Sequence, residues 1–128
     1  MEFKIKEEGG FITELPYGEL HVSGDEQYGF RPYQLMVSSI AVCSGGVLRK
    51  ILQKKRLTVK DMHIHTKVER NEQEANRLEK IHLHYIIKGE NLPEKHVEQA
   101  MELARKNCPM VQSVINSIEV TESYEIVE

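Results

Sequence analysis

The sequence predicts an α+β fold with antiparallel sheets packed around central helices. Two neighbouring stretches, "LTVKDMHIHTKVER" and "RLEKIHLHYIIKG", alternate apolar and polar residues around the polar turn "NEQEAN", which is the pattern of a long hairpin. A third stretch, Leu35 to Leu52, is apolar or small on nearly every face, as in a helix that is buried all round. The order of elements is strands, helix, strands, helices, strand, which suits helices gathered against antiparallel sheet.

Each element has a local reason. "EFKIKEE" alternates and reads as a strand, Gly9-Gly10 as a turn, "FITEL" as a return strand and "GELHVSG" as a third, before the loop "DEQYGF". Arg31-Pro32 then opens a helix running to about Lys54 or Lys55, with proline at the first helical position, where its missing N–H is not needed. In the hairpin, Val59, Met62, Ile64 and Val68 lie mostly on one face of the first strand, and Ile81, Leu83, Tyr85 and Ile87 share one face of the second. "NLPEKHVEQAMELARKN" is an amphipathic helix with Val97, Met101, Ala104 and Cys108 in line. "MVQSVINSI" continues as helix, and "EVTESYEIV" closes the chain as a strand.

The 128 residues suit one domain, 1–128, and a core that needs no disulfides. A net charge of −3 leaves no basic field for nucleic acid or anionic lipid. "MEFKIKEEGG" does not resemble a signal peptide. The most apolar run, Leu35 to Leu48, is short for a membrane span. A soluble, cytoplasmic protein is the expectation, and two cysteines in that compartment suggest redox chemistry more than a structural bridge. No cofactor and no metal is expected.

Three details stand out. The long apolar helix holds Gly45 and Gly46, each costing about 1 kcal/mol relative to alanine, among Ser38, Ser39, Ala41 and Ser44. Small side chains let another backbone approach, and a partner subunit is the simplest cover for such a helix, with a central helix of a monomer as the alternative. The second detail is "NCPM". Either the helix kinks there, or it ends near Asn107 and a new helix starts at Pro109 with Cys108 as its N-cap. The second reading sets Cys108 at the positive end of a helix, which favours its thiolate. The third detail is the pairs His63/His65 and His82/His84, which share one face of the hairpin. That face also carries Lys67, Glu69 and Lys88, so a solvated polar face is a better account than a metal site.

"GFRPYQLMVSSIAVCSGGVL" resembles the signature helix of the OsmC/Ohr family (osmotically inducible protein C and organic hydroperoxide resistance proteins). That signature is a proline followed eleven positions later by a cysteine, a spacing kept here by Pro32 and Cys43. "ARKNCPMVQSV" resembles the family's second motif, a helix with the second cysteine. The resemblance implies an OsmC-like fold as an intertwined homodimer, with Leu35–Leu52 buried at the interface and Cys43 and Cys108 meeting there. It also implies a stress-response oxidoreductase, a peroxidase in which Cys43 attacks an organic hydroperoxide and Cys108 resolves the sulfenic acid to a disulfide that a dithiol reductant reopens. Residues 1–30 lack the arginine of the peroxidase members, and Tyr33 and Gln34 stand where the family places a glutamate. Arg31 is then the nearby guanidinium assigned to the catalytic set, and Tyr33 and Gln34 are the substrate-binding positions. The alternative is a non-catalytic or ligand-binding member with a degenerate site.

Overall fold

The structure, a computed structural model, describes residues 1–128. The chain divides into two compact units, Met1–Ser38 and Ser39–Glu128, where sequence alone suggests one domain.

The first unit is a small antiparallel sheet of β1 (Lys4–Ile5), β2 (Phe11–Leu15) and β3 (Gly18–Val22) in that order. Gly9 and Gly10 make the expected turn, both with positive φ. The following loop folds back, Phe30 N donating to His21 O and Ser23 N to Phe30 O at 2.8 and 3.0 Å. Gly29 permits this closeness, since a Cβ there would lie 2.6 Å from the His21 carbonyl. "EFKIKEE" supplies only two residues of strand, less than its alternation suggests. Helix α1 (Pro32–Lys54) starts at the proline, as expected, and carries the chain from the first unit into the second.

The second unit holds a sheet in the order β4 (Asp61–Asn71), β5 (Arg77–Lys88), β6 (Glu119–Val127), with α2 (Glu94–Asn107) and α3 (Pro109–Val114) between the last two. The β4–β5 hairpin is antiparallel, with Ile64 opposite Tyr85 and His65 opposite His84. The expectation of wholly antiparallel sheet fails at β6, which runs parallel to β5. Residues 89–118 form a helical crossover that returns the chain to its starting end, and a strand laid down after such a crossover runs parallel. Ile81, Leu83, Tyr85, Ile87 and Val120 line the buried face and meet the apolar stripe of α2, Val97, Ala100, Met101 and Ala104. Arg105 fastens α2 to β6 by donating to Val120 O at 2.6 Å and to Glu122 Oε1 at 3.0 Å.

Helix α1 corrects one expectation. Its 23 residues are long and apolar enough to cross a membrane by length and composition, where the shorter run Leu35–Leu48 looked insufficient. Ile40, Ala41, Ser44, Leu48 and Leu52 are nevertheless buried in this chain, as in a core helix. One side of the helix is left open within this chain, the side for which a partner subunit is the expected cover. Ser39, Val42 and Gly46 form an exposed stripe, and Val42 is 70% exposed.

Candidate functional site

Cys43 lies midway along α1 and is half-buried, and Cys108 is fully buried. The two side chains lie close enough for Cys43 to act on the Cys108 thiol, and both thiols are free. The chain builds each position differently. Cys43 follows from α1 packing across the buried face of the sheet, where Gly45 comes so close to β4 that a Cβ would stand 2.6 Å from Ile64 Cδ1. Gly45 therefore answers to a strand of its own chain. Gly46 has nothing within 4 Å of a notional Cβ.

Cys108 resolves the two readings of "NCPM". It is the last cap of α2 and the N-cap of α3, with extended backbone (φ −84°, ψ 110°) and Pro109 at the first helical position. Its Sγ accepts a hydrogen bond from Val111 N at 3.5 Å. The expectation that this cap favours the thiolate is overturned. Burial, the largest influence, pushes the Cys108 thiol up, and the contact with Cys43 adds to the rise; the bonds from Val111 and Met110 N–H only offset part of it. The reason is plain: α3 is a six-residue helix with a weak dipole, and water is absent around the sulfur. Burial thus holds the Cys108 proton more firmly than water would.

Two buried hydroxyls complete the cluster. Ser44, the neighbour of Cys43, and Tyr85 on β5 are joined by a 2.5 Å hydrogen bond between Oγ and Oη. Both are essentially inaccessible to solvent. Burial, first, pushes the Tyr85 phenol up to about 12, and the charges of Glu122 and Cys108 act in the same direction. Sequence reasoning placed Tyr85 on the inward face but missed the pair. The available signal was a hydroxyl-bearing aromatic among Ile81, Leu83 and Ile87, with no polar partner on its own strand.

Arg31, Tyr33 and Gln34 belong to the first unit. The Arg31 guanidinium lies over the Tyr33 ring at 4.9 Å, within cation–π range; Tyr33 is half-buried and Gln34 exposed. The histidines occupy the outer face of the second sheet. His82 and His84 spend ring nitrogens on β6 hydroxyls, His82 on Thr121 and Ser123 (2.6 and 2.8 Å) and His84 on Ser123 (2.6 Å). His63 sits 3.0 Å from Asp61.

Comparison with known proteins bears on the family and the fold. The model of the family described as OsmC-like protein matches residues 23–123. Protein YhfA of Escherichia coli K12 is 31% identical over 97 residues, 75% of this chain and 72% of that protein. A hypothetical protein of Aquifex aeolicus shares the fold with a TM-score of 0.88 and 31% identity over 98% of this chain and 93% of its own. An OsmC-like protein of Mycoplasma pneumoniae superposes with a TM-score of 0.87 at 16% identity, over 99% and 95%. The organic hydroperoxide resistance protein OhrB of Bacillus subtilis does so with 0.64 at 16%, over 98% of each chain.

Proposed function

Because the chain belongs to the OsmC-like family, we propose that it is a thiol-dependent reductase of organic hydroperoxides, with Cys43 attacking and Cys108 resolving. The contact between the two thiols is the observation that carries this reading. The Cys43 thiolate takes the terminal oxygen of ROOH, giving a sulfenic acid as the O–O bond breaks and ROH leaves with a proton. The Cys108 sulfur then forms the S–S bond, and the sulfenic oxygen departs as water with the Cys108 proton. A dithiol reductant reopens the disulfide. A thiol already beside the sulfenic acid traps it before the irreversible sulfinic stage.

Burial raises the Cys108 thiol and so makes its thiolate harder to form, which sets closure of the disulfide as the demanding step of this division of labour. The substrate class comes from the family and from the name of the B. subtilis protein, whose likeness is of fold alone. Arg31 as the activating cation, and Tyr33 and Gln34 as substrate contacts, rest on their place around Pro32 in the signature. The reading takes 1–128 as one domain acting in the cytoplasm as an obligate homodimer; the exposed stripe of Ser39, Val42 and Gly46 on α1, small side chains around one apolar one, supports the dimer.

The test mixes reduced protein with tert-butyl or cumene hydroperoxide and dithiothreitol and follows peroxide consumption. Turnover abolished by Cys43→Ser is expected, with Cys108→Ser accumulating sulfinic acid at Cys43. No turnover above the Cys43→Ser control overturns the reading.

A further inference from the structure

A buried Tyr–Ser pair beside two thiols calls for an explanation. Two apolar groups of the same shape would fill a core about as well, because a buried hydrogen bond gains little over its absence once both partners are removed. The Tyr85 ring is locked among its strand neighbours, and its hydroxyl bonds Ser44 at 2.5 Å. Ser44 directly follows Cys43 on α1, about 100° round the helix at 3.6 residues per turn. A bond at Ser44 therefore fixes the rotation of the helix about its axis at this level, and with it the direction of the Cys43 side chain. Gly45, pressed on Ile64, leaves the next position without a side chain to set that rotation.

We propose that Tyr85 is a positioning residue that acts through Ser44 to hold the Cys43 sulfur toward Cys108, and that it governs whether oxidised Cys43 closes the disulfide or is oxidised again. Two reactions compete. Closure converts Cys43–SOH and Cys108–SH to the disulfide and water. Over-oxidation converts Cys43–SOH and a second ROOH to Cys43–SO₂H and ROH. The first depends on the mutual orientation of the sulfurs; the second requires only access. A small misplacement therefore slows closure selectively.

The over-oxidation half of the proposal rests on the hydroperoxide reading; the positioning half does not. Reduced wild type, Tyr85→Phe and the double variant Ser44→Ala/Tyr85→Phe are each treated with rising tert-butyl hydroperoxide, and the products are mapped by mass spectrometry without reductant. The peroxide concentration giving equal disulfide and sulfinic acid reads the ratio of the two rates. A fall of about tenfold in both variants is expected, with loss of the first Cys43 thiol within about twofold of wild type. Ile87→Val, which trims the same buried face of β5 and leaves the hydroxyls alone, is expected to keep the wild-type ratio, so a general loosening of the core is separable. Equilibration of the Cys43–Cys108 pair against reduced and oxidised glutathione needs no peroxide. There the variants are expected to form the disulfide less favourably, again by about tenfold. If wild type consumes no peroxide but the glutathione difference holds, the hydroperoxide reading falls and the positioning role stands. Wild-type behaviour of both variants in the glutathione measurement overturns the proposal, as does an equal shift in Ile87→Val.

Discussion

Tyr85 and Cys108 each hold a proton in a place that water does not reach, which ties folding to alkaline pH. Burial pushes the Tyr85 phenol from 10.0 to about 12. Between those values the folded chain holds a proton that the unfolded chain has lost, so stability is intact below pH 10 and falls as pH rises toward 12. Two units correspond to about 3 kcal/mol at 1.36 kcal/mol each. Cys108, raised from 9.0 by burial, adds a loss of the same sign that begins at lower pH. The expected outcome is a difference between wild type and Tyr85→Phe, in urea unfolding followed by circular dichroism, that changes in favour of the variant from pH 10 upward. A pH-independent difference would mean that the phenol ionises freely in the folded chain. The cysteines also show what sequence cannot give at this scale. "NCPM" made Cys108 a candidate cap, and the cap is there, but its effect on the thiol depends on burial, set by residues of α2, α3 and the sheet far away in sequence. The contact of Cys108 with Cys43, 65 positions earlier, came from family resemblance and from no local pattern.

Among the elements, α1 carries two adjacent glycines with opposite surroundings. A methyl at Gly45 meets Ile64 Cδ1 at 2.6 Å, whereas one at Gly46 meets nothing. Replacing glycine by alanine in a helix favours folding by about 1 kcal/mol, so the sign of each substitution is set by its neighbour. Gly45→Ala is expected to destabilise, because Ile64 must leave its rotamer in a packed layer. Ile64→Val removes the clashing carbon, and Gly45→Ala is expected to recover its helix gain in that background. A double-mutant cycle by thermal unfolding reads the coupling, expected at about 1 kcal/mol; additivity would show that α1 and β4 are not held together at this point. The elements were the most legible level of the molecule. Pro32 marked the start of α1, and alternation assigned the inward residues of β4 and β5, because burial of one strand face leaves a period of two in the sequence. The direction of β6 left no such trace: Val120 is inward whichever way the strand runs, and only the crossover through α2 and α3 decides it.

For the whole molecule, the exposed apolar residues bear on assembly. In the first unit Phe3, Ile5, Phe11 and Phe30 are all substantially exposed, around an apolar hollow of about 540 Å³ that Phe3, Phe11, Val22 and Pro32 help to line. In the second unit the stripe Ser39–Val42–Gly46 borders a cleft of about 510 Å³ lined by Val42, Gly46, Arg49, Met62 and Ile64 among others. Apolar surface of this kind costs roughly 25 cal/mol for each Å² left in water, and contiguous patches mark sites that a partner covers. A second copy of the chain is the occupant favoured by the family resemblance, with small residues on α1 letting two helices approach closely. Sedimentation velocity at micromolar concentration is expected to give a dimer for the wild type. Val42→Glu places a charge in the middle of the stripe, where a partner would have to desolvate it, and is expected to give a monomer with the secondary structure of the wild type. Because Cys43 follows Val42 on the same helix while Cys108 lies within the same chain, the monomeric variant also separates assembly from chemistry. Disulfide formation against glutathione is expected to persist in it, and turnover of hydroperoxide to fall, if the partner completes the substrate side of the site. A wild-type chain that sediments as a monomer removes the dimer from the reading and leaves the thiol pair to act alone.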